Sequence, residues 1–138
     1  MPSHLFRRNR PVLTSRDARR RQRLMEDTKQ QAKVETWVQR RLAPVVDVLL
    51  AGQLGRRELR SRWGQVEIWV DRHGVVHVKT PGYRIGTALE HIYGADRCVT
   101  EKKEEFHKIE GKDRHGNRVK VQALISRHRE TTIQPATT

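Results

Sequence analysis

Eight arginines stand in the first twenty-three residues, at Arg7, Arg8, Arg10, Arg16, Arg19, Arg20, Arg21 and Arg23, with Asp17 the one acid among them, a net +7 of the chain's +13. A guanidinium group is planar, permanently charged and able to meet two phosphate oxygens at once, so arginines gathered this closely point to a polyanion, of which nucleic acid is the commonest. Other chemistry-bearing residues are sparser. The seven histidines, His4, His73, His77, His91, His107, His115 and His128, include no pair at zinc-site spacing within a helical pattern, and the single Cys98 gives them no thiolate cluster to join. A metal nuclease built on Asp113, His115, Asn117 and His128 would need a spacing that matches no such motif. No serine lies in a Gly-x-Ser-x-Gly context and no glycine-rich phosphate loop follows a strand pattern. The expectation is a protein that is not an enzyme, with no catalytic residue, no metal, no cofactor and no small-molecule substrate.

A chain of 138 residues with 35% apolar composition supports one modest core. No run approaches the roughly eighteen apolar residues that cross a bilayer, and no apolar stretch of a signal peptide opens the chain, so no membrane partner is expected and the location expected is cytoplasmic, or the host cytoplasm or nucleus for a viral protein. Charge is uneven along the chain. Residues 24–52 and 63–100 each sum to zero, whereas 53–62 add +3 through Arg56, Arg57, Arg60 and Arg62, and 101–130 add +3 more. The excess cations thus sit outside the segments with the best core pattern. The division expected is a basic arm over 1–23, disordered when free, one domain over 24–130, and a flexible tail over 131–138.

Helix signals fill the first half. Ser15 and Asp17 are candidate N-caps, and the run from Arg16 to Leu42 holds no Gly or Pro. Val34, Val38, Leu42, Val45 and Leu49 form an apolar stripe, and Pro44 kinks the helix or opens a new one that ends near Gly52. Trp37 lies beside the stripe. Residues 56–62 read as a helical turn with arginines on more than one side. Val66, Ile68 and Val70, a turn over 71–74, then Val76 and Val78 predict a hairpin. Ile85, Leu89 and Ile92 mark a short helix that Gly94 can cap, and the mixed run Glu101, Lys102, Lys103, Glu104, Glu105 reads as exposed helix or loop. A second hairpin turns at 113–116, with Val119, Val121, Ala123 and Ile125 alternating with Arg118, Lys120, Gln122 and Leu124. Asp-Arg-His-Gly occurs in both turns, which reads as one good turn used twice.

The fold class that follows is α+β: N-terminal helices, then a ββαββ core whose four-stranded antiparallel sheet is covered on one side by helices. The other face, or its rim, would carry Lys and Arg for backbone phosphates. The expected nucleic-acid-binding residues are the eight arm arginines, Arg56, Arg57, Arg60, Arg62, Arg118 and Lys120, with Trp37 or Trp69 stacking on bases.

The run Arg62-Trp63-Gly64-Gln65-Val66-Glu67-Ile68-Trp69, the hairpin it enters, the helix ending Ile92-Tyr93-Gly94, Cys98 and the second hairpin resemble the tombusvirus-type suppressors of RNA silencing over about Trp37 to Ser126. The resemblance implies a homodimer that holds short duplex RNA on its sheet face and an N-terminal-helix tryptophan, here Trp37, stacked on a duplex end. That family uses a pair of tryptophans where this chain has one, and the arginine leader has no counterpart in it. The reading is therefore a non-enzymatic binder of duplex RNA by shape and backbone. Two alternatives stay open: a phage or plasmid DNA-binding regulator whose Arg16 to Leu42 helix lies in the major groove, and an adaptor that docks on a protein machine such as RNA polymerase.

Overall fold

The computed structural model describes residues 14–136. The chain divides into a helical unit ending at Lys33 and a compact unit from Val34 onward. Helix α1, Ser15–Trp37, starts in the first and gives its last turn to the second. Its N-cap is Thr14, not Ser15 or Asp17. The Asp17 N–H donates to Thr14 Oγ1 at 3.1 Å, while the Thr14 hydroxyl and N–H donate back to Asp17 Oδ2 at 2.7 and 3.3 Å. This reciprocal capping box satisfies two otherwise unpaired groups and sets a carboxylate at the positive end of the helix.

A single π-helical turn, Val38–Leu42, joins α1 to α2, Ala43–Leu50. Its cause is Pro44, which has no N–H for the carbonyl four residues back and whose ring crowds that position, so the chain opens wider and the Ala43 N–H bonds Val38 O. The extra residue in that turn moves the apolar stripe by one: Val34, Val38, Leu42, Val46 and Leu49 are buried, and Val46 takes the place expected of Val45. Val45 is only half-buried against the edge of the core.

Five strands, not four, form one antiparallel sheet in the order β1-β2-β3-β5-β4. They are β1 Arg56–Ser61, β2 Gly64–Val70, β3 Val76–Thr80, β4 Cys98–Lys112 and β5 Arg118–Ile133, with α3, Arg84–Tyr93, between β3 and β4. The extra strand is the arginine-rich segment read as a helical turn. Its one apolar residue, Leu59, pairs opposite Val66, and cross-strand pairing at a sheet edge overrides the weak local preference of Arg, Glu and Leu for helix. The same reason corrects Glu101 to Glu105, which lie within β4 opposite Ser126 to Glu130. The C-terminal boundary also moves. Thr131, Thr132 and Ile133 complete β5, with Thr131 and Ile133 fully buried, so the flexible tail expected from Thr131 does not begin there.

One face of the sheet carries Val66, Ile68, Val76, Val78 and Ile133, which pack with Val46 and Leu49 of α2 and with Ile85, Ala88 and Leu89 of α3 into one core. The Tyr93 hydroxyl ties α3 to α2 by donating to Asp47 Oδ1 at 2.7 Å and lying 3.3 Å from Ala43 O. Cys98 closes the core beside Ile133, and burial pushes its thiol up to about 12. Both Asp-Arg-His-Gly turns are built alike. Asp71 Oδ1 accepts from the N–H groups of His73 and Val75, Asp113 Oδ1 accepts from those of His115 and Asn117, and Gly74 and Gly116 both take φ 79°.

Gly86 marks where α3 approaches the sheet most closely. A Cβ there would stand 2.6 Å from Thr100 Oγ1 and 2.9 Å from Thr131 Oγ1, which are hydrogen-bonded to each other. Gly86→Ala is expected to lower stability by about 1–3 kcal/mol despite its better helix propensity, read as a lower urea midpoint. A higher midpoint would mean that the helix can back away from the sheet at no cost.

Candidate nucleic-acid interface

Arg7, Arg8 and Arg10 lie outside the described residues. Arg16, Arg19, Arg20 and Arg23 are exposed on α1 at spacings of three, four and seven, which places them on one helical face, a row about 10 Å long; Arg21 points elsewhere. The remaining candidates are spread over the compact unit. Arg56 and Arg60 stand on the uncovered face of β1, while Arg57 pairs opposite Ile68 on the helix side, where it borders Pro44, Val45 and Val48 of α2. Arg62 is exposed in the β1–β2 turn, and Arg118 and Lys120 lie far out on β5. Trp37 is not a free platform. It is half-buried, with its ring edge-on to Trp63 at 6.1 Å and 70°.

The uncovered sheet face differs from the cationic surface expected of it. The pairing register puts Glu58, Glu67, Lys79, Glu130 and Glu101 in one row across all five strands, four carboxylates to one ammonium. Only Arg56, Arg60 and Lys103 add positive charge in the neighbouring rows, which leaves four Lys and Arg against four Glu in these three rows. Several are already paired: Lys79 with Glu67 at 3.8 Å, Lys103 with Glu101 at 3.0 Å. A phosphate backbone laid there would meet no net attraction.

Next to that row lies a cluster with no signal in the linear sequence. Trp69 is flanked from the strand on either side, by the Arg56 guanidinium 4.9 Å from its ring centroid and by the His77 ring stacked at 5.3 Å and 3°. His77 in turn reaches Asp71 Oδ2 through Nε2 at 2.9 Å and Glu130 Oε1 through Nδ1 at 3.0 Å. The ring thus ties the β2–β3 turn to β5. The hydrogen bond from His77 holds the Asp71 carboxyl below its ordinary value, with the backbone N–H groups of His73 and Val75 helping. The cluster is closed on itself: it fixes the β2–β3 turn and leaves neither an open general base nor a free face of Trp69 for a base to stack on.

Beyond Ser126 the β4–β5 hairpin carries on as a two-stranded ribbon, and every residue from 101 to 122 is exposed. A β-bulge at the Glu105/Phe106 step leaves Ile125 unpaired and reverses the alternation of β5. On one face of the ribbon Lys108, Lys112, Arg118 and Lys120 surround Glu110 and Gln122, with Lys120 3.7 Å from Glu110. On the other face lie Ile109, Val119, Val121 and Ala123. Arg118 and Lys120 therefore have Lys108 and Lys112 as companions, two cations that sequence reading missed because cross-strand register is not visible along the chain.

No family model matches the chain, and neither does any curated protein or solved structure. What the chain can do is thus carried by its own geometry. Among the described residues there is no group of His, Cys, Asp and Glu placed to hold a metal ion, and no helix long and apolar enough to cross a membrane. Among the described residues, four arginines stand together on α1, and the ribbon face of Lys108, Lys112, Arg118 and Lys120 continues towards the sheet through Lys102, Arg127 and Arg129.

Asp71→Asn tests the closed cluster, since the amide oxygen can still accept from His73 and Val75 while the charge facing His77 is removed. Because the folded carboxyl titrates below the unfolded one, its stabilisation is complete above the ordinary carboxylate value and disappears as pH falls through the lowered value. The variant is expected to be less stable than the parent at neutral pH, with the gap closing on acidification, in urea titrations at a series of pH values. A gap of constant size across that series would show that the His77 contact contributes nothing.

Proposed function

We propose that this protein binds the phosphate backbone of a nucleic-acid duplex and catalyses no reaction, using the arginine row of α1 and the charged face of the ribbon. The observation that carries the reading is the row Arg16, Arg19, Arg20 and Arg23, four permanently charged forks on one exposed face of a capped helix. The charge-balanced sheet face directs the reading away from a duplex held on the sheet. An α-helix fits the wide major groove of B-form DNA and is excluded from the deep, narrow one of A-form RNA, so a helix-borne row favours duplex DNA. Duplex RNA, which the resemblance to silencing suppressors would imply, is the competing ligand. A homodimer belongs to the same reading, because two copies would double the number of phosphates gripped.

Replacing Arg16, Arg19, Arg20 and Arg23 together by Gln is the test, with binding to DNA and RNA duplexes of equal length titrated at several salt concentrations. Every phosphate no longer neutralised by the protein reduces the slope of log affinity against log salt by about 0.9 on B-form DNA, so the fourfold variant is expected to show a slope shallower by about 3 to 4 units on DNA while folding normally. Tighter binding of the parent to RNA than to DNA would overturn the DNA preference. Weak, salt-insensitive binding to both would overturn the backbone reading and favour an adaptor that docks on protein.

A further inference from the structure

The charged face of the ribbon is interrupted once, by an apolar pair. Phe106 and Leu124 stand opposite each other in the register, on the same side as Lys108 and Lys120, and are 51% and 41% exposed. Towards the sheet this face carries Lys102, Arg127 and Arg129, and towards the tip Lys108, Lys120, Lys112 and Arg118. A surface that only grips phosphates gains nothing from an uncovered phenyl ring and isobutyl group at its middle, whereas a duplex offers apolar side chains one dry seat, between two stacked base pairs. We infer, on the basis of the backbone reading above, that this pair is a wedge: Phe106 and Leu124 enter one base step of a DNA duplex from the minor groove and unstack it, while the cations on either side hold the flanking phosphates.

Position, reach and charge agree. At about 3.4 Å per residue, Arg127 on the sheet side and Lys108 on the tip side each lie one pair, about 7 Å, from the wedge. The minor groove is about 6 Å wide, so cations at that distance reach the phosphates of both its walls, whereas in the major groove, about 12 Å wide, they would lie over the bases. From Lys102 to Lys112 the face runs ten residues, about 34 Å, which is close to one turn of the double helix. Seven Lys and Arg stand along it against Glu104 and Glu110, a net +5. Both carboxylates are already engaged, Glu104 with Arg127 at 3.4 Å and Lys102 at 4.0 Å, and Glu110 with Lys120 at 3.7 Å. The bulge keeps the two cation groups in line. Without its extra residue Ile125 would stand opposite Phe106, and Arg118 and Lys120 would fall on the other face. Unstacking one step costs the duplex stability, and the bend that results offsets the cost by bringing phosphates on both sides of the step onto Lys and Arg.

The experiment uses the full chain and a DNA duplex of about three helical turns with a donor dye on one end and an acceptor on the other. Binding of the parent is expected to draw the ends together and raise energy transfer. A duplex with a single mismatched pair at its centre is expected to be bound about tenfold more tightly than the fully paired one, since that step is already loosened. The double variant Phe106→Ala, Leu124→Ala is expected to lose both effects while keeping the circular dichroism spectrum and the salt slope of the parent, because no phosphate contact is removed. Val121→Ala, on the opposite face, is expected to bend the duplex as the parent does. A parent that binds with a steep salt dependence and leaves the duplex straight would overturn the wedge and leave the backbone reading standing. So would a double variant that bends the duplex fully. Tighter binding of a single strand than of the duplex, lost in Phe106→Ala, would make the ring a platform for an unpaired base and overturn the wedge as well. Absence of any duplex binding would sink the backbone reading and the wedge with it.

Discussion

Only one face of this sheet can be buried. The turn of α1 at Val34, the π turn, α2 and α3 all lie on the side of Val66, Ile68, Val76, Val78 and Ile133, and together they account for the buried apolar residues among those described. With about 25 cal/mol gained per Å² of apolar surface removed from water, that layer is the main source of stability. The uncovered face must then be soluble by its own composition, and it is: its charges cancel across the strands and pair along them, as Lys79 does with Glu67. A surface neutralised to stay soluble is a poor seat for a polyanion, and the excess cations are placed where no core has to form, on the first turns of α1 and on the ribbon.

The ribbon follows from the same limit. β4 and β5 run fifteen and sixteen residues, and only the stretch near Cys98 and Ile133 reaches the helices. Past it, hydrogen bonding between the two strands continues while burial stops, and the bulge at Ile125 turns one side of the hairpin into a cationic face and the other into an apolar one.

Much of this was legible in the sequence. The period of Val66, Ile68 and Val70, the turn at 71–74, the helix over Ile85, Leu89 and Ile92 and the role of Pro44 are local, and each is found where the pattern puts it. What sequence could not carry was non-local. Arg56 to Ser61 became a strand because Val66 was available opposite Leu59, and Glu101 to Glu105 became one because β5 ran alongside. The shift from Val45 to Val46 depended on a backbone adjustment one turn ahead of Pro44. The acidic row is the plainest case: Glu58, Glu67, Glu101 and Glu130 are scattered along the chain and adjoin only through register, as do the Asp71–His77–Glu130 contacts.

The central claim is that the phosphate-gripping cations stand apart from the sheet. Backbone amide chemical shifts of the isotope-labelled protein, followed as a short duplex is added at low salt, test it residue by residue. The account predicts that the perturbed amides fall in residues 14–24 of α1 and along the strands bearing Lys108, Lys112, Arg118 and Lys120, with those of Glu58, Glu67, Lys79 and Glu130 unmoved. Perturbations centred on that acidic row, with α1 and the ribbon unchanged, would contradict it.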